Sequence, residues 1–488
     1  MASTVVLVIL VAVIVVDFAV RLTTVLVLPR NRRPSSALAW LLAIFFLPFL
    51  GFFLFLLIGH YKLPAERRAK QAAISSYITS STDGIRSMAE PVASPVWFEA
   101  VARLNRRLGA MPVVRGNSAS LIGDYGGSIS AMSAAVEQAV RFVHCEFYII
   151  ALDGATEGFF ASLEAAAARG VRVRVLLDHI ATIRTATHRA TFRRLDAIGV
   201  EWRFMLPVQP LRGRWQRPDL RNHRKLLVID DEVAFMGSQN VIDRSYNKPA
   251  NLRRGLKWQD LMVVVQGPVV REINSVFIAD WYSETEELLL AETDLGDHAP
   301  VQLPGDLDCQ LVPSGPGFEG ENNLQLFLAL LHAAERRVSV ASPYFVPDEA
   351  MLLAMTGAAT RGVDVELFVS EIGDQAGVFH AQRSYYEALL RAGVRIWLYP
   401  APFILHAKHV SIDDEVGVIG SSNMDIRSFA LDLEISLMTR GASFVTELRG
   451  VEDGYRALSR ELTLEEWMRQ PLTSTIADNV ARLTSALQ

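Results

Sequence analysis

Cysteine is nearly absent. The 488 residues contain two, Cys145 and Cys309, with no disulfide or thiolate-metal spacing. Both lie in apolar, strand-like contexts, so buried free thiols are expected, and nothing demands an oxidising compartment. A strong charge of either sign is also missing. Forty-eight Lys and Arg stand against 53 Asp and Glu, a formal net charge of −5. That excludes a chain-wide nucleic-acid footprint, so no nucleic-acid partner is expected. There is no low-complexity tract and no His/Cys/carboxylate cluster with metal-ligand spacing, so no metal or other cofactor is expected. Long apolar runs are missing after the first sixty residues, although hydrophobic residues make up 50 % of the chain and its mean hydropathy is +0.23. The excess is therefore local. The remaining length suffices for two or three domains with full cores.

The apolar end has two runs. Thr4 to Val16 is unbroken and continues through Phe18 to Leu28, interrupted by Asp17 and Arg21. These two are four apart, share a helix face and could pair, which lowers the cost of placing them in lipid. Ala37 to Gly59 carries no charge and is long enough for a hydrocarbon core of about 30 Å. With the turn Pro29 to Pro34 between them, residues 1–60 are expected to form a two-helix transmembrane hairpin. A cleaved signal peptide is disfavoured, because a basic start and an A-x-A-like site are missing. Arg30, Arg32 and Arg33 compete with Lys62, Arg67, Arg68 and Lys70, so the positive-inside rule does not decide the orientation. A cytoplasmic catalytic part is expected from the basic stretch after the second run and from the cysteines. The location is then a membrane, multi-pass. Residues 61–115 read as a linker or juxtamembrane region.

One stretch occurs twice. His223-Arg-Lys225-Leu-Leu-Val-Ile-Asp230 leads to Gly237-Ser238-Gln-Asn240, and His406-Ala-Lys408-His-Val-Ser-Ile-Asp413 leads to Gly420-Ser421-Ser-Asn423. Both copies read IDDEV around the aspartate. The surroundings repeat too: Arg169-Gly-Val matches Arg361-Gly-Val, and Ile198-Gly-Val matches Ala392-Gly-Val. Helix-like segments at 129–143, 157–168, 324–335 and 350–360 alternate with strand-like segments at 145–152, 171–177, 200–204 and 337–344. This is an α/β chain with largely parallel sheets, built from two tandem units, 116–300 and 301–488. From Gly199 to His223 is 24 positions, and from Gly393 to His406 is 13, so the first unit has 11 extra residues. That insertion holds Arg212, Arg214, Trp215 and Arg217, which could engage lipid headgroups. The tail from Glu461 reads as a final helix whose apolar face, Ile476, Val480, Leu483 and Leu487, is expected to pack on the catalytic body.

These residues suit a phosphodiester. A neutral imidazole can attack phosphorus, and a second, protonated imidazole can supply the leaving alkoxide's proton. Residues i and i+2 on a strand share a face, so His223 with Lys225, and His406 with Lys408, can reach one phosphate. The lysines would neutralise its oxygens. Ser238, Asn240, Ser421 and Asn423 would add neutral donors to the phosphate. Asp230 and Asp413 complete the catalytic motifs, but their odd spacing turns them away from the phosphate. They read as structural ties for the following turn.

With its doubled H-x-K-x4-D…G-S-x-N pattern the chain resembles the phospholipase D superfamily, and more closely the bacterial cardiolipin synthases. Further matches are Arg30 to Trp40, Glu146-Phe-Tyr-Ile, Trp258-Gln-Asp260, Gly267-Pro268, Pro343-Tyr-Phe-Val-Pro347, Arg383-Ser-Tyr-Tyr386 and Asp425-Ile-Arg-Ser428. The resemblance implies two phospholipase D-like α/β/α domains around one shared site, and metal-independent transphosphatidylation between two phosphatidylglycerols at a bilayer. It also implies His223 as nucleophile and His406 as general acid/base. Acidic residues that orient the histidines match Asp260 after the first motif and Glu434 after the second. One departure is Leu431-Asp432-Leu433-Glu434, where the family often has Leu-Asn-x-Glu. A hydrolase, a transferase using phosphatidylethanolamine, a nuclease or an inactive scaffold are the alternatives, and self-association is left open.

Overall fold

The computed structural model describes residues 2–30, 34–59, 67, 69–70, 94–212, 216–289, 305–318 and 320–483. By contacts the chain divides into two units, residues 1–62 with 217–219, and residues 63–216 with 220–488.

In the first unit, α1 (Ala2–Val27) follows from the unbroken apolar run. Its 24 residues Thr4–Val27 are long and apolar enough to cross a membrane. Arg21 Nε lies 2.9 Å from Asp17 Oδ2, the pair that the four-residue spacing predicts. The second run departs from expectation. It forms two helices, α2 (Pro34–Phe46) and α3 (Pro48–Ile58), in place of one span. Pro48 has no N–H to continue the helix, and its ring crowds the preceding turn. The chain folds back there. Trp40 packs edge-on against Phe55 at 5.5 Å, and a Cβ on Gly51 would come within 2.6 Å of the Ala43 carbonyl oxygen. At 1.5 Å per residue the 13 residues of α2 reach about 20 Å, short of a hydrocarbon core.

The second unit is built on strands. Those before residue 300 are β1 (Val113–Ile122), β2 (Phe142–Phe147), β3 (Arg172–Asp178), β4 (Glu201–Met205), β5 (Lys225–Ile229), β6 (Val233–Gly237), β7 (Lys257–Gln259) and β8 (Met262–Gln266). Those after it are β9 (Leu307–Ser314), β10 (Arg337–Ala341), β11 (Phe345–Val346), β12 (Asp364–Ser370), β13 (Arg395–Tyr399), β14 (Phe403–Leu405), β15 (His409–Ile412), β16 (Val416–Gly420), β17 (Met424–Asp425), β18 (Glu434–Arg440) and β19 (Arg460–Leu462). Fifteen of them form a single sheet. Read outward from its centre, β1-β8-β6-β5-β2-β3-β4 mirrors β9-β18-β16-β15-β10-β12-β13, with β19 added at one edge. The sequence repeat is thus a repeat of topology. The two halves share this sheet because β1 pairs with β9, Val113 opposite Gln310.

The sheet is mixed. Within the fifteen-stranded sheet, parallel pairing among the described residues is confined to β2–β3–β4 and β10–β12–β13. The motif strands form antiparallel hairpins, β5 with β6 and β15 with β16. One core cluster joins both halves, with Val263, Ile273, Leu311 and Ile435 among its members.

Asp230 and Asp413 are ties, though of a different segment from the following turn. Asp230 accepts backbone N–H bonds from Val140, Arg141 and Phe142 at 2.7–2.8 Å. Asp413 accepts them from Glu335, Arg336 and Arg337 at 2.7–3.1 Å. Each carboxylate fixes the entry into β2 or β10. This also explains why the helix expected at 129–143 is Tyr125–Glu137: the amides from Val140 onward are taken by Asp230 and do not continue the helix's own bonds. Asp413→Ala should therefore cost at least about 2 kcal/mol of stability, because three amides lose a charged acceptor. Thermal unfolding measures it, and an unchanged melting point would refute the role.

The C-terminal segment differs most. Pro471 separates helix Leu464–Met468 from helix Leu472–Arg482. The second of these has its expected apolar face outward: Ile476 is 54 %, Val480 58 % and Leu483 85 % exposed, whereas Asp478 is buried. Leu487 lies outside the described residues.

Candidate active site at the junction of the two halves

Each motif histidine enters its strand from a backbone position fixed by the other half. His223 N donates to Leu433 O at 2.8 Å, and Leu433 N donates to Arg221 O at 2.8 Å. His406 N donates to Gln259 O at 2.7 Å, where β14 runs parallel to β7. The segments that pin the histidines also carry the acidic residues, so the carboxylates cross over. His223 Nδ1 lies 2.9 and 3.1 Å from the two oxygens of Glu434. His406 Nδ1 lies 2.6 Å from Asp260 Oδ1. Both carboxylates are buried. Donating Nδ1–H to a carboxylate leaves the Nε2 lone pair free for chemistry.

The serines stand behind the carboxylates. Ser238 Oγ donates to Asp260 Oδ1 at 2.7 Å and accepts from Leu261 N at 2.9 Å. Ser421 Oγ donates to Glu434 and accepts from Ile435 N at 3.0 Å. This differs from their expected place at the phosphate, since both hydroxyls are committed to the carboxylates and the next strand. Asn240 is likewise engaged at both ends, by Ile149 N and by the Tyr246 hydroxyl. Asn423 Oδ1 is buried with no hydrogen-bond partner among the described residues.

Lys225 and Lys408 are buried and donate to the carbonyl oxygens of their own histidines, at 2.5 and 2.7 Å. Burial, opposed by Glu434 and Asp260, pushes Lys225 down to about 8. Burial also pushes Lys408 down, to about 7, with Asp260 opposing it and Lys225 adding to it. The histidines follow the same rule. Burial holds His223 at about 4 despite Glu434, and burial together with Lys408 lowers His406. Burial alone would raise Glu434 and Asp260, but their histidine, lysine and serine partners outweigh it and bring both below the ordinary carboxylate value.

A phosphate anion in the site would therefore favour the protonated forms of lysines and histidines that are otherwise poised to release their protons. On approaching vesicles, kcat/KM should fall as pH rises through 7 and 8 and the free enzyme's lysines deprotonate. Stability should move the other way. The unfolded chain keeps the lysine protons up to about 10.4, whereas the folded chain has released them, so stability rises with pH across that window. Lys408→Met should raise the melting temperature while removing activity. Melting and activity curves on the same variant check both signs.

Three aromatic residues complete the walls. The Tyr148 ring stands edge-on to His223 at 4.9 Å, with Lys225 Nζ 5.4 Å from its centroid. Tyr246 and Tyr344 stand edge-on to His406 at 6.4 and 6.5 Å. Sequence reasoning gave none of these a role, although Tyr148 and Tyr344 lie in the family-like segments that begin at Glu146 and Pro343. Of the Arg/Trp insertion, Arg214 and Trp215 lie outside the described residues. Arg212 ends a short 3₁₀ turn, and Arg217 Nε binds Asp219 at 2.9 Å.

Comparison with known proteins agrees with this geometry. The family described as cardiolipin synthase, PLD-like domain, matches residues 130–281 and 327–451, more than half of the chain. The chain belongs to the cardiolipin synthase family. It is 34 % identical over 469 residues to a cardiolipin synthase of Geobacillus kaustophilus, covering 94 % of this chain and 90 % of that one. It is 32 % identical to cardiolipin synthase A of Pectobacterium carotovorum, covering 95 % of each. A phospholipase D-nuclease N-terminal family matches residues 6–60. The fold is similar to that of a phosphatidylserine synthase from Haemophilus influenzae, with a TM-score of 0.60 at 14 % identity, covering 81 % of this chain and all of that one. The protein is thus a phosphatidyltransferase of the phospholipase D type acting on phospholipids.

Proposed function

We propose that this enzyme condenses two phosphatidylglycerols into cardiolipin and glycerol. His223 Nε2 attacks the phosphorus of the first lipid. The bond to the glycerol oxygen breaks, and His406 gives that oxygen its proton. A glycerol hydroxyl of the second lipid then loses its proton to His406 and attacks the phosphohistidine. The phosphorus–nitrogen bond breaks and cardiolipin leaves. The reading is supported above all by the two histidines, each held at Nδ1 by a buried carboxylate from the opposite half, beside two buried lysines. Residues 116–300 and 301–488 then act as two phospholipase D-like domains sharing one centre.

The test uses full-length enzyme in vesicles of phosphatidylglycerol alone. Cardiolipin and glycerol are expected in equal amounts. Phosphatidic acid as sole product would overturn the synthase reading in favour of hydrolysis, and cardiolipin only when phosphatidylethanolamine is added would overturn the donor. A chelator is expected to change nothing. In this proposal α1 anchors the enzyme, the α2–α3 pair dips into the same bilayer, and catalysis is on the cytoplasmic side. Arg212, Arg214, Trp215 and Arg217 then serve as a headgroup loop.

The departure at Asp432 fits an anionic substrate. Its carboxyl is buried, with Oδ2 3.2 Å from Arg427 Nε. Burial pushes it up to about 8 against the pull of Arg427, with Glu434 and Asp425 adding to the rise. At pH 7 it is chiefly the neutral acid, close in shape and charge to asparagine. Asp432→Asn should stay within about threefold of the parent at pH 7, a surface-scale effect. The ratio of variant to parent activity should climb above pH 8. A ratio independent of pH would refute this account.

A further inference from the structure

We propose that the helix Leu472–Arg482 is an interfacial element, laying its outward apolar stripe on the phospholipid surface that presents the substrate. The proposal rests on the phosphatidyl-transfer reading above.

The helix is mounted inside out for a water-facing element. Leu472 is 74 %, Ile476 54 %, Val480 58 % and Leu483 85 % exposed. Spacings of four, four and three put them on one face. The docked face is held by charge. Asp478, 2 % exposed, lies 2.6 Å from His380 Nδ1 and 3.4 Å from Arg383 Nε. Arg383 also binds Ser474 Oγ at 3.2 Å. A helix that merely packed on the body would bury the leucine and isoleucine and leave the aspartate in water. Here the aspartate fixes the opposite orientation.

Its position points to lipid as the occupant. The Tyr344 ring stands against His406, and its hydroxyl donates to Asp374 at 3.0 Å and accepts from Gln375 Nε2 at 3.3 Å. Gln375 is the N-cap of helix Ala376–Arg383, and that helix carries His380 and Arg383. The helix that carries the stripe is therefore docked on the helix that starts at the His406 wall, one element removed from the site that must receive lipid headgroups. Charge agrees. The helix's one acid, Asp478, faces inward, and its one base, Arg482, is exposed at its end. An apolar stripe with only positive charge outward complements an anionic phospholipid interface.

The test uses the full-length enzyme in vesicles of phosphatidylglycerol and phosphatidylethanolamine. Single cysteines at Ile476, Val480 and, as control, the exposed Leu353 are labelled with an environment-sensitive fluorophore. The native cysteines are fully buried. Lipid-borne quenchers should quench the first two labels about threefold more than the third. Equal quenching would overturn the proposal. So would quenching at 476 and 480 between labelled copies in detergent, which would make a second copy the occupant. As a second arm, Ile476→Glu with Val480→Glu should raise the apparent KM for vesicles about tenfold. Turnover of monomeric short-chain phosphatidylglycerol should be unchanged. Loss on both substrates would show that the helix supports the fold of the site instead. If the parent enzyme turns over neither substrate, the transfer reading fails, while the quenching result still decides the surface.

Discussion

His223→Ala should abolish cardiolipin formation, with a loss of about 10,000-fold or more, because no other group replaces the attacking nitrogen. His406→Ala should be nearly as damaging with phosphatidylglycerol, for a different reason. Its loss leaves glycerol to depart as an unprotonated alkoxide. The two defects separate with a phosphatidyl ester of an acidic phenol, whose leaving group needs no proton. His406→Ala should still form the phosphoenzyme from that ester, and His223→Ala should not. Acid-labile label on the protein, trapped by rapid quenching, is the measurement. If His223→Ala accumulates label and His406→Ala does not, the roles are reversed. The test is needed because the surroundings are symmetric: each histidine has one carboxylate, one serine behind it and one lysine beside it.

Much of this site could be read from the chain before folding. The doubled motif located both histidines and lysines, and the odd spacing of Asp230 and Asp413 turned them away from the phosphate. Their partners were not legible, because Val140 and Glu335 are distant in sequence and enter through backbone N–H groups, which leave no residue signature. The serines were misplaced for a related reason. A hydroxyl beside a phosphate site can serve the phosphate or the carboxylate, and only the positions of Asp260 and Glu434 decide between them. Pro48 was in plain view in the second apolar run, yet hydropathy counts it as harmless, whereas a helix loses a donor there. The last helix shows the limit of periodicity. Spacing identified the face of Ile476, Val480 and Leu483, but not what covers it. The choice was made by Asp478, which pairs with His380 and Arg383 almost a hundred residues earlier.

Glu434→Gln should cripple the histidine of the half to which it does not belong. In chain order Glu434 follows the His406 motif, yet its carboxylate holds His223. An amide can present its NH2 to Nδ1, favour the wrong tautomer and leave no charge to stabilise the imidazolium. A loss of about 1,000-fold is expected, between the effect of a ligand-supporting carboxylate and that of a triad aspartate. The defect should persist with the phenyl ester, since it lies in the attack. Asp260→Asn should mirror it: a similar loss with phosphatidylglycerol, but phosphoenzyme formation from the phenyl ester largely restored, because Asp260 serves His406. Combination separates pairs from neighbours. Glu434→Gln added to His223→Ala should cost nothing more, since the two act as one unit, whereas Glu434→Gln with Asp260→Asn should be worse than either alone. If the carboxylates instead served the histidines of their own motifs, these interaction energies would exchange places. Glu434→Gln would then be silent in His406→Ala and additive with His223→Ala.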